Sequence, residues 1–327
     1  MLKSELKFSK IIISLVATSE CIFNGYTDLF IQNYFPHVLK ETSCLKSDNL
    51  CDICSIPTCP YYQIIHDKND KIEAGYLEYR PYPYIINASD KYLFFRGELL
   101  DINITIFGDY AKYLKNFISA FQKMGEIGFG DYKNKFQVSS VRDALTGDLL
   151  FGNNEIAQKQ PKQMTILEYI GYKFGTTHIN HGTNTENNQN VFARQILKNI
   201  QITFLTPTKL SNKIENIDAV KCDTLFEEAI ERYTSLHLLY GDFRDEDTLG
   251  KNQVFTSNGD IEAKEKCRYI RPSQQNSDLL GILGTCRISN IDEKMFQLLK
   301  TLEILHIGKN ASYGMGKVKI DNWILVK

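Results

Sequence analysis

The sequence predicts an α+β fold of two tandem ferredoxin-like units, each βαββαβ, with antiparallel sheets and the helices on one face. Three observations carry that prediction. The first is an internal repeat, because FRGELLDINITIFGDYAKYLKNFISAFQKMGEIGFGDYKNKFQVSSV and LLGILGTCRISNIDEKMFQLLKTLEILHIGKNASYGMGKVKIDNWI both read strand, helix, glycine loop, strand. The second is that each copy is preceded by a further strand and helix, which completes the six-element order twice. The third is size: 327 residues with 43% hydrophobic content can bury two modest cores.

Taken in order, the alternating apolar run from Lys7 to Thr18 is the first strand. Lysines ahead of it give MLKSELKFSKIIISLVATSEC the look of a secretion signal, but Glu5 and the short apolar run speak against one. The first helix is expected over roughly Thr27 to Lys40, with Pro36 placing a helical start near Tyr34. An insertion at about 42–66 follows it. There Cys44, Cys51, Cys54 and Cys59 fall within sixteen positions and contain one CxxC pair. Four thiols so spaced can wrap a structural zinc; the same sulfurs serve an iron–sulfur cluster, His66 is the spare ligand, and free thiols in a loop are the plainer reading.

In the first repeat, Tyr113, Phe117, Ala120 and Phe121 space the stripe of an amphipathic helix, which stops at the loop Gly125, Gly128, Gly130 and Lys133. Residues 1–150 thus form the first unit. Residues 151–198 read as a linker, since HINHGTNTENNQN is polar and turn-rich. The second unit, 199–327, has a strand over Asn199 to Leu205, a helix over roughly Thr224 to Tyr240, and a second amphipathic stripe of Met295, Leu298, Leu299 and Leu302.

A net charge of -1 excludes global attraction to a polyanion or a membrane surface, so an anionic partner must be held by local patches. No apolar run reaches bilayer length, and scattered single cysteines suit a reducing cytoplasm. The most basic local feature is HIGKNASYGMGKVKI, His306 to Ile320, which has no acid. It leads into a strand, unlike nucleotide-binding glycine loops that open a helix. Its glycines, Gly308, Gly314 and Gly316, let an extended phosphate backbone approach the main chain, with Ser312 beside them. Lys309 and Lys317 supply charge, and Tyr313 supplies a ring on which a base can stack. The matching loop with Lys133 in the first half would flank the same cleft.

Four stretches together, FLTPTKL (Phe204 to Leu210), CRYIRPSQQ (Cys267 to Gln275), LLGILGTCRI (Leu279 to Ile288) and LHIGKNASYGMGKV (Leu305 to Val318), carry a family likeness. In that order the second half resembles the CRISPR repeat-processing endoribonucleases of the repeat-associated mysterious protein (RAMP) superfamily; the first half resembles them more loosely. The resemblance implies cleavage of precursor CRISPR RNA within repeats, without a catalytic metal, by attack of a ribose 2′-hydroxyl to leave 2′,3′-cyclic phosphate and 5′-hydroxyl ends. It also implies a histidine on the first helix, which points to His37 with Tyr34 and Lys40 one turn away on either side as the proton-transfer cluster. His306, Arg268, Arg271 and Gln274 join the loop as RNA contacts. The cysteine run ending in Cys59-Pro60-Tyr61 is similar to one in relatives, which implies a structural metal. The alternative from the same resemblance is a non-catalytic RNA-binding subunit of a CRISPR effector complex, whose other subunits would then be partners.

Overall fold

The structure is a computed structural model and describes residues 6–46, 51, 54, 56, 58–66, 80–89, 91–153, 155–157, 159–174, 198–210, 222–241, 268–270, 281–291 and 293–322. In the first half, β1 (Lys7–Ala17), β2 (Cys21–Ile22), α1 (Thr27–Ser43), β3 (Tyr84–Asn87), β4 (Leu93–Phe94), β5 (Leu99–Phe107), α2 (Leu114–Ile127) and β6 (Phe136–Asp143) follow one another. The sheet order β3-β5-β1-β6, antiparallel at every step, is the ferredoxin-like arrangement. β7 (Leu149–Gly152) and β8 (Glu155–Ile156) extend that sheet beyond β6, and β2 pairs with β4 in a small separate ribbon.

Alternation sets which face is dry. Ile11, Ile13, Leu15 and Ala17 of β1 all point to one side, where α1 and α2 cover them. Phe35 of α1 seats against Phe117 and Phe121 of α2 at 5.6 and 5.3 Å between ring centroids. The predicted stripe of α2 is therefore its buried face, although Tyr113 belongs to a 3-10 turn ahead of the helix.

The second half repeats the pattern. β10 (Lys198–Thr208), α4 (Cys222–Tyr240), β11 (Arg268–Ile270), β12 (Gly281–Ile291), α5 (Glu293–Leu305) and β13 (Val318–Asn322) give the sheet order β11-β12-β10-β13, again antiparallel. Ile200, Ile202 and Phe204 of β10 meet Leu225, Ala229 and Leu236 of α4 and Met295, Leu298, Leu299 and Leu302 of α5 in one core. Two tandem ferredoxin-like units with helices on one face are thus the architecture. The units are not independent beads: Leu6, Phe8, Ile85 and Phe107 from the first half are buried in the second core.

Part of the span read as a linker has structure of its own. β9 (Met164–Thr165) pairs with the start of β1, and α3 (Ile166–Phe174) packs on α5. Its apolar residues Ile166, Tyr169 and Ile170 drive this, since they complete the second core. The polar stretch 178–190 lies outside the described residues. Pro36 also sits inside α1 rather than in its first turn, as the helix begins at Thr27. Proline has no N–H to offer the carbonyl of residue 32, so the helix lacks one ladder bond there.

Candidate nucleic-acid cleft between the two units

The glycine loop between α5 and β13 is held from both units, and that is what builds a site. From its own unit, the segment FLTPTKL grips it: Lys309 N donates to Lys209 O at 2.9 Å, Gly316 N to Pro207 O at 3.2 Å, and Lys317 N to Thr206 Oγ1 at 2.9 Å. The Thr206 hydroxyl donates in turn to Gly314 O at 2.8 Å. From the first unit, Tyr84 and Tyr313 share a 3.0 Å hydroxyl hydrogen bond, and Lys317 Nζ donates to Asn87 Oδ1 at 2.7 Å. Asp28 of α1 accepts from Asn87 Nδ2 at 3.3 Å and from the Ala88 amide. Gly314, at φ 76°, lies so close to this network that a Cβ would stand 2.7 Å from the Asp28 carboxyl carbon and 2.9 Å from Asn87 Nδ2.

Loop and helix together enclose an open cleft of about 610 Å³, lined by Gln32, Asn33, Pro36 and His37 of α1 and by Gly308 to Tyr313 of the loop. Arg80, Pro81 and Tyr82, just ahead of β3, and Arg232 of α4 complete it. None of the described residues lining it is a carboxylate, whereas His37, Arg80, Arg232 and Lys309 are basic. Such a space favours an anion of nucleotide size.

The predicted proton-transfer cluster does not assemble as expected. His37 is exposed and lines the cleft, but neither Tyr34 nor Lys40 does. Helical geometry gives the reason. At about 100° per residue, Gln32, Asn33, Pro36 and His37 share one face, from which Tyr34 points well away. Tyr34 is partly buried against the first core. Lys40 falls near the right angle but a turn further on, where its Nζ stands 5.6 Å from the Tyr61 ring centroid.

Two expected RNA contacts in the loop are internal supports instead. His306 is buried, with φ 53°, and its Nδ1 lies 3.2 Å from Met315 O. Burial first, and then the neighbouring Lys317, push its pKa down to about 3, so the ring is neutral and braces the loop. Tyr313 is buried as well, edge-on to Tyr82 and Tyr84, and burial holds its phenol well above the ordinary range. Tyr313 lines the cleft, but with 4% of the residue exposed it offers little surface to a base. Tyr82, which lines the cleft and stacks on Tyr84 at 5.3 Å, is better placed for that. Gly308, Lys309 and Ser312 line the cleft as expected, while Gly314, Gly316 and Lys317 do not.

Lys133 lies on the first-half loop, which closes on itself through the Phe129–Asn134 bridge and does not line the cleft. The side chain of Arg268, on edge strand β11, and the residues Arg271 and Gln274 lie outside what the structure describes. Arg80, Tyr82 and Arg232 are cleft residues that sequence reasoning misses. The run Arg80-Pro81-Tyr82-Pro83 does carry a signal, since alternating prolines force an extended lead-in to a strand and space its side chains regularly. Arg232 on a helix face carries none.

The four cysteines do not fit the metal cluster their spacing suggests. Among the described residues, no three of His, Cys, Asp and Glu come together as ligands for a metal ion. Cys44 Sγ donates to Lys46 O at 2.9 Å and Cys59 Sγ to Ser43 O at 3.8 Å, so each is turned to a backbone carbonyl.

Comparison with known proteins matches each half. Residues 6–166 match the N-terminal domain family AF_1859_N, and residues 202–318 match the family of the CRISPR-associated endoribonuclease Cas6. An uncharacterized protein of Archaeoglobus fulgidus is 23% identical over 290 residues, 88% of each chain. Among solved structures, a chain of a partial Cas6-RT-Cas1–Cas2 complex is similar with TM-score 0.61 and 10% identity, over 99% of this chain and 47% of that one. A Cas6 product complex is similar with TM-score 0.51 and 12% identity, over 96% and 100%. The chain thus spans about half the length of the first of these.

The paired ferredoxin-like units thus take the fold of these Cas6 chains. It is the second half, residues 202–318, that matches the family of the CRISPR-associated endoribonuclease Cas6.

Proposed function

We propose that the chain is an endoribonuclease that cuts precursor CRISPR RNA within its repeats. The observation that carries this is the meeting of an exposed histidine, His37, with the glycine loop across a cleft lined by basic residues and no described carboxylate. The RNA backbone enters with its scissile phosphate between His37 and the loop. A proton leaves the ribose 2′-hydroxyl, its oxygen bonds to phosphorus, and the phosphorus–O5′ bond breaks as O5′ gains a proton. The products are a 2′,3′-cyclic phosphate and a 5′-hydroxyl. His37 serves in one of the two proton transfers, and the basic side chains offset the charge of the crowded phosphorane. No step calls on a metal ion.

A second reading, an RNA-holding subunit that does not cut, is favoured by one observation: Tyr34 and Lys40 stand away from the cleft. Other CRISPR proteins would then be its partners, as Cas1 and Cas2 are for the similar chain of the Cas6-RT-Cas1–Cas2 complex. A cytoplasmic setting suits both readings; among the described residues no helix is long and apolar enough to cross a membrane.

The test is incubation in excess EDTA with labelled repeat RNA, and with the same RNA carrying a single 2′-deoxyribose at each candidate position in turn. Cleavage to a cyclic phosphate, abolished by one deoxy substitution, is expected. Tight binding with every RNA left intact would transfer the assignment to the holding subunit.

A further inference from the structure

Arg80 is fixed on one side and unsatisfied on the other. Its Nη2 donates to Gln63 O at 3.2 Å and lies 3.5 Å from the Tyr110 hydroxyl. Its guanidinium carbon stands 5.9 Å from the ring centroid of Tyr240, which itself donates to Pro81 O. These ties come from three separate segments, so the guanidinium plane is set before any ligand arrives. Nε and Nη1 are buried and make no hydrogen bond among the described residues. Donors on a permanent cation, desolvated and without acceptors, are costly unless a ligand supplies the acceptor. The residue lines the cleft, on the wall that carries Tyr82.

We infer that Arg80 binds one RNA phosphate in this cleft, at or beside the linkage facing His37. The inference rests on reading the cleft as an RNA site, and assigns it a phosphate-binding cation besides Lys309 of the loop. Guanidinium suits the task, because it stays charged and its charge-assisted hydrogen bonds to phosphate oxygens have fixed direction. Arg232 works beside it as a positioning residue: its Nε donates to Leu305 O at 3.0 Å and holds the end of α5 from which the glycine loop departs.

The test is a mutant cycle on binding, which reads out whether or not the RNA is cut. Wild type and Arg80→Gln are titrated with 2′-deoxy-blocked repeat RNAs in which single phosphates are replaced, one at a time, by neutral methylphosphonate. One linkage is expected at which neutralisation weakens wild type about tenfold and Arg80→Gln less than about twofold, the mark of a direct contact. Equal losses for both proteins at every linkage would overturn the assignment. Thermal melting first establishes that Arg80→Gln folds; if it does not, Arg80→Lys, which keeps charge without the planar fork, takes its place and the same linkage must again show reduced loss. Should wild type fail to cut unblocked RNA while the coupled linkage is found, the nuclease reading falls and Arg80 stands as a binding residue.

Discussion

Two buried histidines make the protein's stability depend on pH. His306 is held neutral beneath the glycine loop with its pKa pushed down to about 3, and burial pushes His237 of α4 down to about 4. In the unfolded chain both return to about 6.5. Between those values the unfolded state binds more protons, so stability is full above pH 6.5 and falls as pH drops toward the folded values. Each histidine should cost about 2 kcal/mol between pH 6.5 and 5. Urea midpoints at pH 7 and pH 5 read this, and His306→Asn should remove roughly half of the difference. At this scale the sequence was a partial guide. His37 is legible because an exposed histidine on the first helix suits proton transfer and the family likeness points to it. His306 is not, because a histidine beside a basic loop reads as a phosphate ligand until the packing shows it enclosed. Arg80 and Arg232 come to the cleft only through the docking of two units, which no local pattern encodes.

The glycine loop joins the two units, and its shape is set by contacts distant in sequence. Gly314 sits at φ 76° with the Asp28 carboxyl and Asn87 amide pressed against the place of a Cβ. Gly314→Ala should destabilise the fold by about 1–3 kcal/mol and weaken RNA binding together with it, as the loop loses its seat on α1 and β3. Chemical denaturation and a binding titration on the same sample measure both effects. The loop itself, the two stripes of α2 and α5 and the strand order are readable from periodicity, because burial of one face imposes it. The seat is not. Asp28 looks like an ordinary first-turn helix acid, and Asn87 like a strand end.

Across the whole molecule, near-neutral net charge and a locally basic cleft mean that few phosphates are neutralised on binding. Lys309, exposed on the loop, should contribute about one of them, so Lys309→Ala should reduce the slope of log K against log salt by about 0.7 for single-stranded RNA. Lys317→Ala should act differently, lowering stability, since Lys317 Nζ is bonded to Asn87 across the units. The doubling of the ferredoxin-like unit is legible from the repeat. That the halves share a core through Phe8, Ile85 and Phe107 is not, because interdigitation leaves no periodic trace. It is this shared packing that lets a histidine from one half face a loop from the other. The most direct measurement is the single-turnover cleavage rate of a repeat RNA in EDTA, for wild type and His37→Ala at saturating protein. A fall of about 10²- to 10⁴-fold, with affinity for the 2′-deoxy-blocked RNA unchanged, is predicted for loss of a proton-transfer group. An undiminished rate would contradict a role for His37 and remove the cleft as the place of cutting.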